Sequence, residues 1–108
     1  MQIQVTEDTG TTAKVVLTGK LDIAGAEAVA LPLATLSGAK RALTIDMSGV
    51  TFIASIGIRH LVSASKALAR RGGGLTLLNP NDLVTEVLNT TGVSDLMTIT
   101  RGDGAVKA

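Results

Sequence analysis

Two short runs, Leu43-Thr44-Ile45-Asp46-Met47 and Leu75-Thr76-Leu77-Leu78, are almost wholly apolar and flank one strongly periodic helix. No other feature limits the possible folds of this chain as much. Near-continuous apolar strands separated by a helix read as members of a parallel sheet, because parallel strands need a crossover connection and that connection is usually helical. In the helix, Ile58, Leu61, Val62, Ser65, Leu68 and Ala69 recur at spacings of three and four on one face, while Arg59, Ser63, Lys66 and Arg70 fall on the opposite one. Gly72-Gly73-Gly74 ends it with the left-handed backbone that helix termini often use.

The flanking segments extend the pattern. Ile3 and Val5 alternate with polar residues, Asp8-Thr9-Gly10 is a turn signal, and 13–17 reads as a second strand, so the two form a hairpin. Residues 24–36 are rich in Ala and Leu and read as a helix with a kink or break near Pro32, whose ring nitrogen has no proton to donate. After the strand at 75–78, Asn79 is the expected cap of a helix, with Pro80 in its first turn and Asp82 at the positive end of its dipole. That helix carries Leu83, Val87 and Leu88 inward and stops near Gly92. A helical turn around Ser94 and Asp95, a last strand over 97–99, and a frayed tail beginning at Gly102-Asp103-Gly104 complete the reading. One domain over 1–101 and a flexible tail over 102–108 are expected, a common domain size.

Composition excludes several functions. Phe52 is the only aromatic residue, so there is no platform on which bases could stack, and a formal charge of +1 is too small for the electrostatic footprint of a nucleic-acid binder. Nucleic acid is not an expected partner. With no cysteine, thiolate metal sites, disulfides and Cys nucleophiles are ruled out by inventory. No apolar stretch approaches the roughly 20 residues that span a bilayer, and the first residues do not resemble a signal peptide, so no membrane insertion and a cytoplasmic location are expected.

The stretch from Asp46 to Arg59 holds the residues best placed for function. Ser55 stands at the start of the periodic helix, where its hydroxyl is suited to cap an unpaired amide two or three residues on. The same position exposes a hydroxyl to a partner and would set a phosphate against amides that favour anions. Ile56 reads either as an apolar contact for a partner or as a buried staple. Asp22 reads as a helix cap or a partner contact, and Asp46 as a strand-end turn or a contact, both within possible reach of Ser55. Arg59, four residues after Ser55, is placed to meet a carboxylate, a phosphate or solvent. His60 is the only histidine. It is read as a surface or half-buried residue, since five positions separate it from Ser55 and no hydrolase triad or oxyanion pattern accompanies it.

Several anchors in order, Leu17-Thr18-Gly19-Lys20-Leu21-Asp22, the run from Leu43 to Val50, Phe52-Ile53-Ala54-Ser55-Ile56-Gly57-Ile58, Arg71-Gly72-Gly73-Gly74-Leu75, Leu78-Asn79-Pro80 and the run from Val87 to Val93, resemble the STAS-domain anti-sigma factor antagonists of bacteria. The resemblance implies an α/β single-domain fold with a mixed, mostly parallel sheet and helices packed mainly on one face. It also implies a non-enzymatic, protein-binding regulator without a cofactor of its own. Ser55 matches the serine that an anti-sigma factor acting as serine kinase phosphorylates, and a PP2C-type phosphatase would restore it. Asp22, Ala54, Ser55, Ile56, Gly57 and Arg59 match the partner-binding region. Ala54 replaces the family's usual Asp, and Ile56 its usual second Ser or Thr. Those two departures keep an alternative open, a non-switching scaffold subunit of a transport or sensory complex in which Ser55 only caps a helix.

Overall fold

The apolar runs at 43–47 and 75–78 pair with each other as parallel strands, Leu43 opposite Leu75 and Ile45 opposite Leu77. A computed structural model describes residues 1–100; position 101 and the expected tail over 102–108 lie outside the described residues. The elements are β1 (Gln2–Asp8), β2 (Thr12–Leu21), α1 (Ile23–Ala39), β3 (Ala42–Ile53), α2 (Ser55–Ala69), β4 (Gly74–Leu78), α3 (Asp82–Thr90), a 3-10 turn (Val93–Leu96) and β5 (Thr98–Thr100). The sheet follows chain order, β1-β2-β3-β4-β5, with β1 antiparallel to β2 and every later pairing parallel.

Three crossovers that all step the same way along the sheet put their helices on one side when each is right-handed. Burial follows that rule. Ala13, Val15 and Leu17 of β2, Leu43, Ile45 and Met47 of β3, and Leu75 and Leu77 of β4 are buried in one core with Val29 and Leu33 of α1, Leu61 and Leu68 of α2, and Val84 and Leu88 of α3. The alternate residues Lys14, Val16, Thr44, Asp46 and Thr76 point to the other face and are half-buried. The fold is the expected mixed α/β sheet covered on one face.

Several details differ from expectation. β3 does not end at Met47 but continues to Ile53, because irregularities in the β2–β3 register around Ser48 and Phe52 absorb extra residues while pairing persists. α1 does not break at Pro32; the helix forfeits one backbone hydrogen bond there and is held by the burial of Val29 and Leu33 on either side. Asn81, not Asn79, caps α3: its side chain accepts from the Val84 amide at 2.8 Å and donates to the Val50 carbonyl at 3.1 Å. Asn79 is instead left-handed, with φ 53°, and Pro80 precedes the cap. Starting the helix there turns Val84 inward and Leu83 outward. On α2 the buried stripe is Gly57, Leu61, Ala64, Ser65 and Leu68, with Ala69 exposed, and the Ser65 hydroxyl donates to the Leu96 carbonyl. β5 begins one residue later than expected.

The end of the molecule where the parallel strands begin is tied by cations. Arg71 donates to the carbonyls of Ser37 and Lys40 at the end of α1, and Gly73 lies so close to the Arg41 carbonyl that any side chain there would collide with it. Lys40, only 9% exposed, pairs with Asp8 and also donates to the Gly10 carbonyl at 3.3 Å. The hydrogen bond from Lys40, with a second from the Gly10 amide, holds the Asp8 carboxyl below its usual range. A depressed folded-state pKa stabilises the fold above the ordinary carboxylate value, and that contribution is lost as pH falls through the depressed one. Urea titrations at pH 7, 5 and 3 are therefore expected to show wild type more stable than Asp8→Asn at pH 7, with the gap closing toward pH 3.

Candidate functional site

Parallel pairing of β2 and β3 delivers two helix starts to one end of the sheet. Leu21 lies opposite Ile53, and the Ala54 amide donates to the Leu21 carbonyl at 2.9 Å, so the chain leaves both strands side by side. α1 begins after Asp22 and α2 after Ala54. The positive ends of two helix dipoles are therefore set at this end.

The two starts are capped differently. Asp22 is half-buried, and its carboxylate accepts from the Gly25 amide at 2.8 Å, so its local role is the helix cap. Ser55 is not a cap. Ala54 holds the extended cap position, with φ −101° and ψ 169° and no side-chain bond, and Ser55 is the first helical residue. The first turn of the helix contains no acidic residue. The Ser55 side chain is exposed and makes no hydrogen bond among the described residues. The hydroxyl is thus free of the local duty that the residue type suggested.

The other expected site residues separate into groups. Ile56 is half-buried at the second helical position, whereas the positions a hydrophobic staple would join are Ile53 and Ile58, both packed with the core. Gly57 is buried rather than presented at the surface: a Cβ there would lie 2.7 Å from Leu21 Cγ, so its contribution is the close seating of α2 on β2. Arg59 is exposed and forms no ion pair among the described residues. Asp46 is not brought to Ser55. It sits within β3, seven residues before the strand's end and about 20 Å along an extended strand from it. Its carboxylate accepts from the Ser48 amide at 2.9 Å and the Ser48 hydroxyl at 2.7 Å, fixing the irregularity there. His60 is half-buried in a groove between α1 and α2, lined also by Ala34, Ser37 and Ser63. Among the described residues no cluster of His, Asp and Glu could hold a metal, and no helix is long and apolar enough to cross a membrane.

Two residues belong to this end that their positions in the sequence did not mark. Ile23, the first residue of α1, is 69% exposed, and Phe52, two residues before Ala54, is 43% exposed. Large apolar side chains at that exposure near the strand ends that precede α1 and α2 are of the kind that protein contacts use, aromatic residues commonly acting as anchors. The detectable signal was the composition itself: the only aromatic residue of the chain stands next to the loop.

The uncapped start makes a measurable difference. Ala54→Asp would place a carboxylate where it can accept from the amides of the first turn, and stability is expected to rise by about 1 kcal/mol. A higher urea midpoint with an unchanged slope would show it.

No curated protein sequence matches this chain. Solved structures that share its fold include the following three. The anti-sigma factor antagonist SpoIIAA in its unphosphorylated form is 23% identical, with a TM-score of 0.79, and the match covers 97% of this chain and 93% of that one. The Bacillus cell fate determinant SpoIIAA in the phosphorylated form is 22% identical, TM-score 0.72, over 98% and 97% of the two chains. The murine anion transporter Slc26a9 in its inward-facing state is 22% identical, TM-score 0.68, over 86% of this chain but only 16% of the transporter. The family model described as Mlab, STAS domain matches residues 5–99. With a sheet and helices of that fold and a family match over nearly its whole length, the chain belongs to the STAS-domain family.

Proposed function

We propose that this domain is a protein-binding regulator of the anti-sigma antagonist type, which holds an anti-sigma factor with serine kinase activity while Ser55 carries a free hydroxyl and releases it once Ser55 is phosphorylated. A PP2C-type phosphatase resets the cycle. The domain itself is not a catalyst; ATP and Mg²⁺ belong to the kinase, and the exchange takes place in the cytoplasm. The reading rests on one observation above all: the Ser55 hydroxyl is exposed and unbonded at the start of an uncapped helix. The likeness to SpoIIAA, solved in both unphosphorylated and phosphorylated forms, supports it.

Phosphorylation adds roughly 1.5 to 2 negative charges and three acceptor oxygens. An interface fitted to a neutral hydroxyl would have to desolvate that charge or lose contact. About 1.4 kcal/mol changes affinity tenfold, so a penalty of a few kcal/mol is enough to empty the complex. Inside the domain the sign is opposite, since the added charge lies at a helix N-terminus that no acidic residue yet occupies. Charge at position 55 should therefore weaken the complex without weakening the fold. Exposed Ile23, Phe52 and Arg59 and half-buried Ile56, all at or near the starts of α1 and α2, are the apolar and cationic residues available for that contact.

The second reading, a non-switching scaffold subunit of a transport or sensory complex, is favoured by Ala54 in place of the usual acidic residue and by the match to one part of an anion transporter. The two readings part on modification. Incubation with the candidate anti-sigma kinases of the same genome, followed by intact mass and peptide mapping, is expected to show one phosphate, on Ser55. Ser55→Asp should bind the kinase about a hundredfold more weakly, two tenfold steps, while Ser55→Ala binds as wild type does and the thermal midpoint of Ser55→Asp does not fall. No phosphate uptake, together with equal binding by both variants, would transfer the domain to the scaffold class.

A further inference from the structure

The solvent-facing stripe of α2 runs Ser55, Arg59, Ser63 and Lys66, at spacings of four, four and three. Of residues 55–60 only Ser55 and Arg59 are exposed; Gly57 is buried, and Ile56, Ile58 and His60 are half-buried. Side chains four residues apart on a helix stand one above the other, with Cβ atoms about 5 to 6 Å apart, and long side chains lean back over the turn nearer the N-terminus. The guanidinium of Arg59 is therefore within reach of whatever Ser55 carries. No carboxylate of its own helix competes for it, since α2 has no acidic residue and the positions three and four away are Ser55, Ile56, Val62 and Ser63. From α1, Asp22 is committed to the Gly25 amide at 2.8 Å, and Glu27, at the fifth position of α1 as Arg59 is of α2, forms no ion pair with it. Lys20, exposed near the end of β2, is a second cation at this end of the sheet.

We infer that Arg59 is the receptor within the chain for a phosphate on Ser55: modification draws the guanidinium off the contact surface and onto the phosphate, so the surface loses a cation in the same step that gives it an anion. The inference rests on Ser55 being a phosphorylation site and names what the phosphate meets there. The planar guanidinium suits phosphate, whose oxygens it binds in pairs. The order of the two residues is the favourable one, because an anion four residues N-terminal to a cation runs with the helix dipole. Stoichiometry gives the pair its effect. A phosphate brings roughly 1.5 to 2 negative charges, of which one guanidinium offsets about half, so this patch of α2 passes from one positive charge to about one negative charge. A partner carboxylate that paired with Arg59 is left facing charge of its own sign.

The full-length chain with phosphoserine installed at position 55 during translation tests the pair without any kinase, so its result is read separately from the phosphorylation assay. In a phosphorus NMR titration the second pKa of the phosphoserine is expected to lie about 0.3 pH higher in Arg59→Gln than with Arg59 present, the size that an exposed pair at this spacing produces. Arg59→Lys should keep most of the depression. Lys66→Gln, on the same stripe but eleven residues from Ser55, and Lys20→Gln each remove a like charge elsewhere and should move the value clearly less. Binding to the anti-sigma kinase supplies the second arm: Arg59→Gln is expected to weaken the unmodified chain about tenfold and the phosphorylated chain not at all, because there the guanidinium is already withdrawn. A pKa that Arg59→Gln leaves in place, or that Lys20→Gln or Lys66→Gln raises equally, overturns the proposal. So does a loss of kinase binding in Arg59→Gln that is the same for both forms.

Discussion

Parallel pairing of β2 with β3 is the constraint on which the other features depend. Two parallel strands side by side must both be left at the same end, so α1 and α2 start together, and the Ala54 to Leu21 hydrogen bond ties the two exits. The same parallel order, continued through β4 and β5, sends every crossover to one side and leaves the other face of the sheet half-wet. A single choice of strand direction thus creates both the core and the exposed end that carries Ser55.

The two ends of the sheet do different work. Where the strands begin, Lys40, Arg41, Arg71 and the glycine turn bind α1, the hairpin and β4 together through carbonyls and one carboxylate. Where β2 and β3 finish, polar bonding is sparse: one aspartate cap, one strand-to-loop amide bond, and a helix start with no side chain serving it. The hydroxyl, the exposed Ile23 and Phe52 and the unserved amides of α2 are at the second end. A helix start without stabilising side chains is tolerable when the opposite end supplies them.

What the residues revealed in advance was chiefly what periodicity controls. The strands at 13–17, 43–47 and 75–78, the hairpin and the amphipathic α2 follow from apolar spacing, whereas the one-sided sheet is what the family resemblance implies. Capping was less legible, because several residues of the right chemistry lie close together. Asn79 and Asn81 are equally good caps by type, and only the backbone decides, bending Asn79 into the left-handed region and giving the helix to Asn81. Ser55 was misplaced by one position for a similar reason: an alanine is a poor cap, yet Ala54 holds that place because its amide is committed to β2. That one-residue shift released the hydroxyl from its expected partner. Leu83 and Ala69 were assigned inward although they lie outward, since two positions at the edge of an apolar arc differ by less than the uncertainty of a helix start.

Phe52, already noted for its place beside the loop, has an optical consequence as well. The buried core holds no aromatic side chain, and no tryptophan or tyrosine occurs anywhere in the chain. The domain is therefore nearly dark in the near ultraviolet. Any fluorescence or near-ultraviolet dichroism in a mixture with another protein must come from that protein, or from the lone phenyl ring of Phe52.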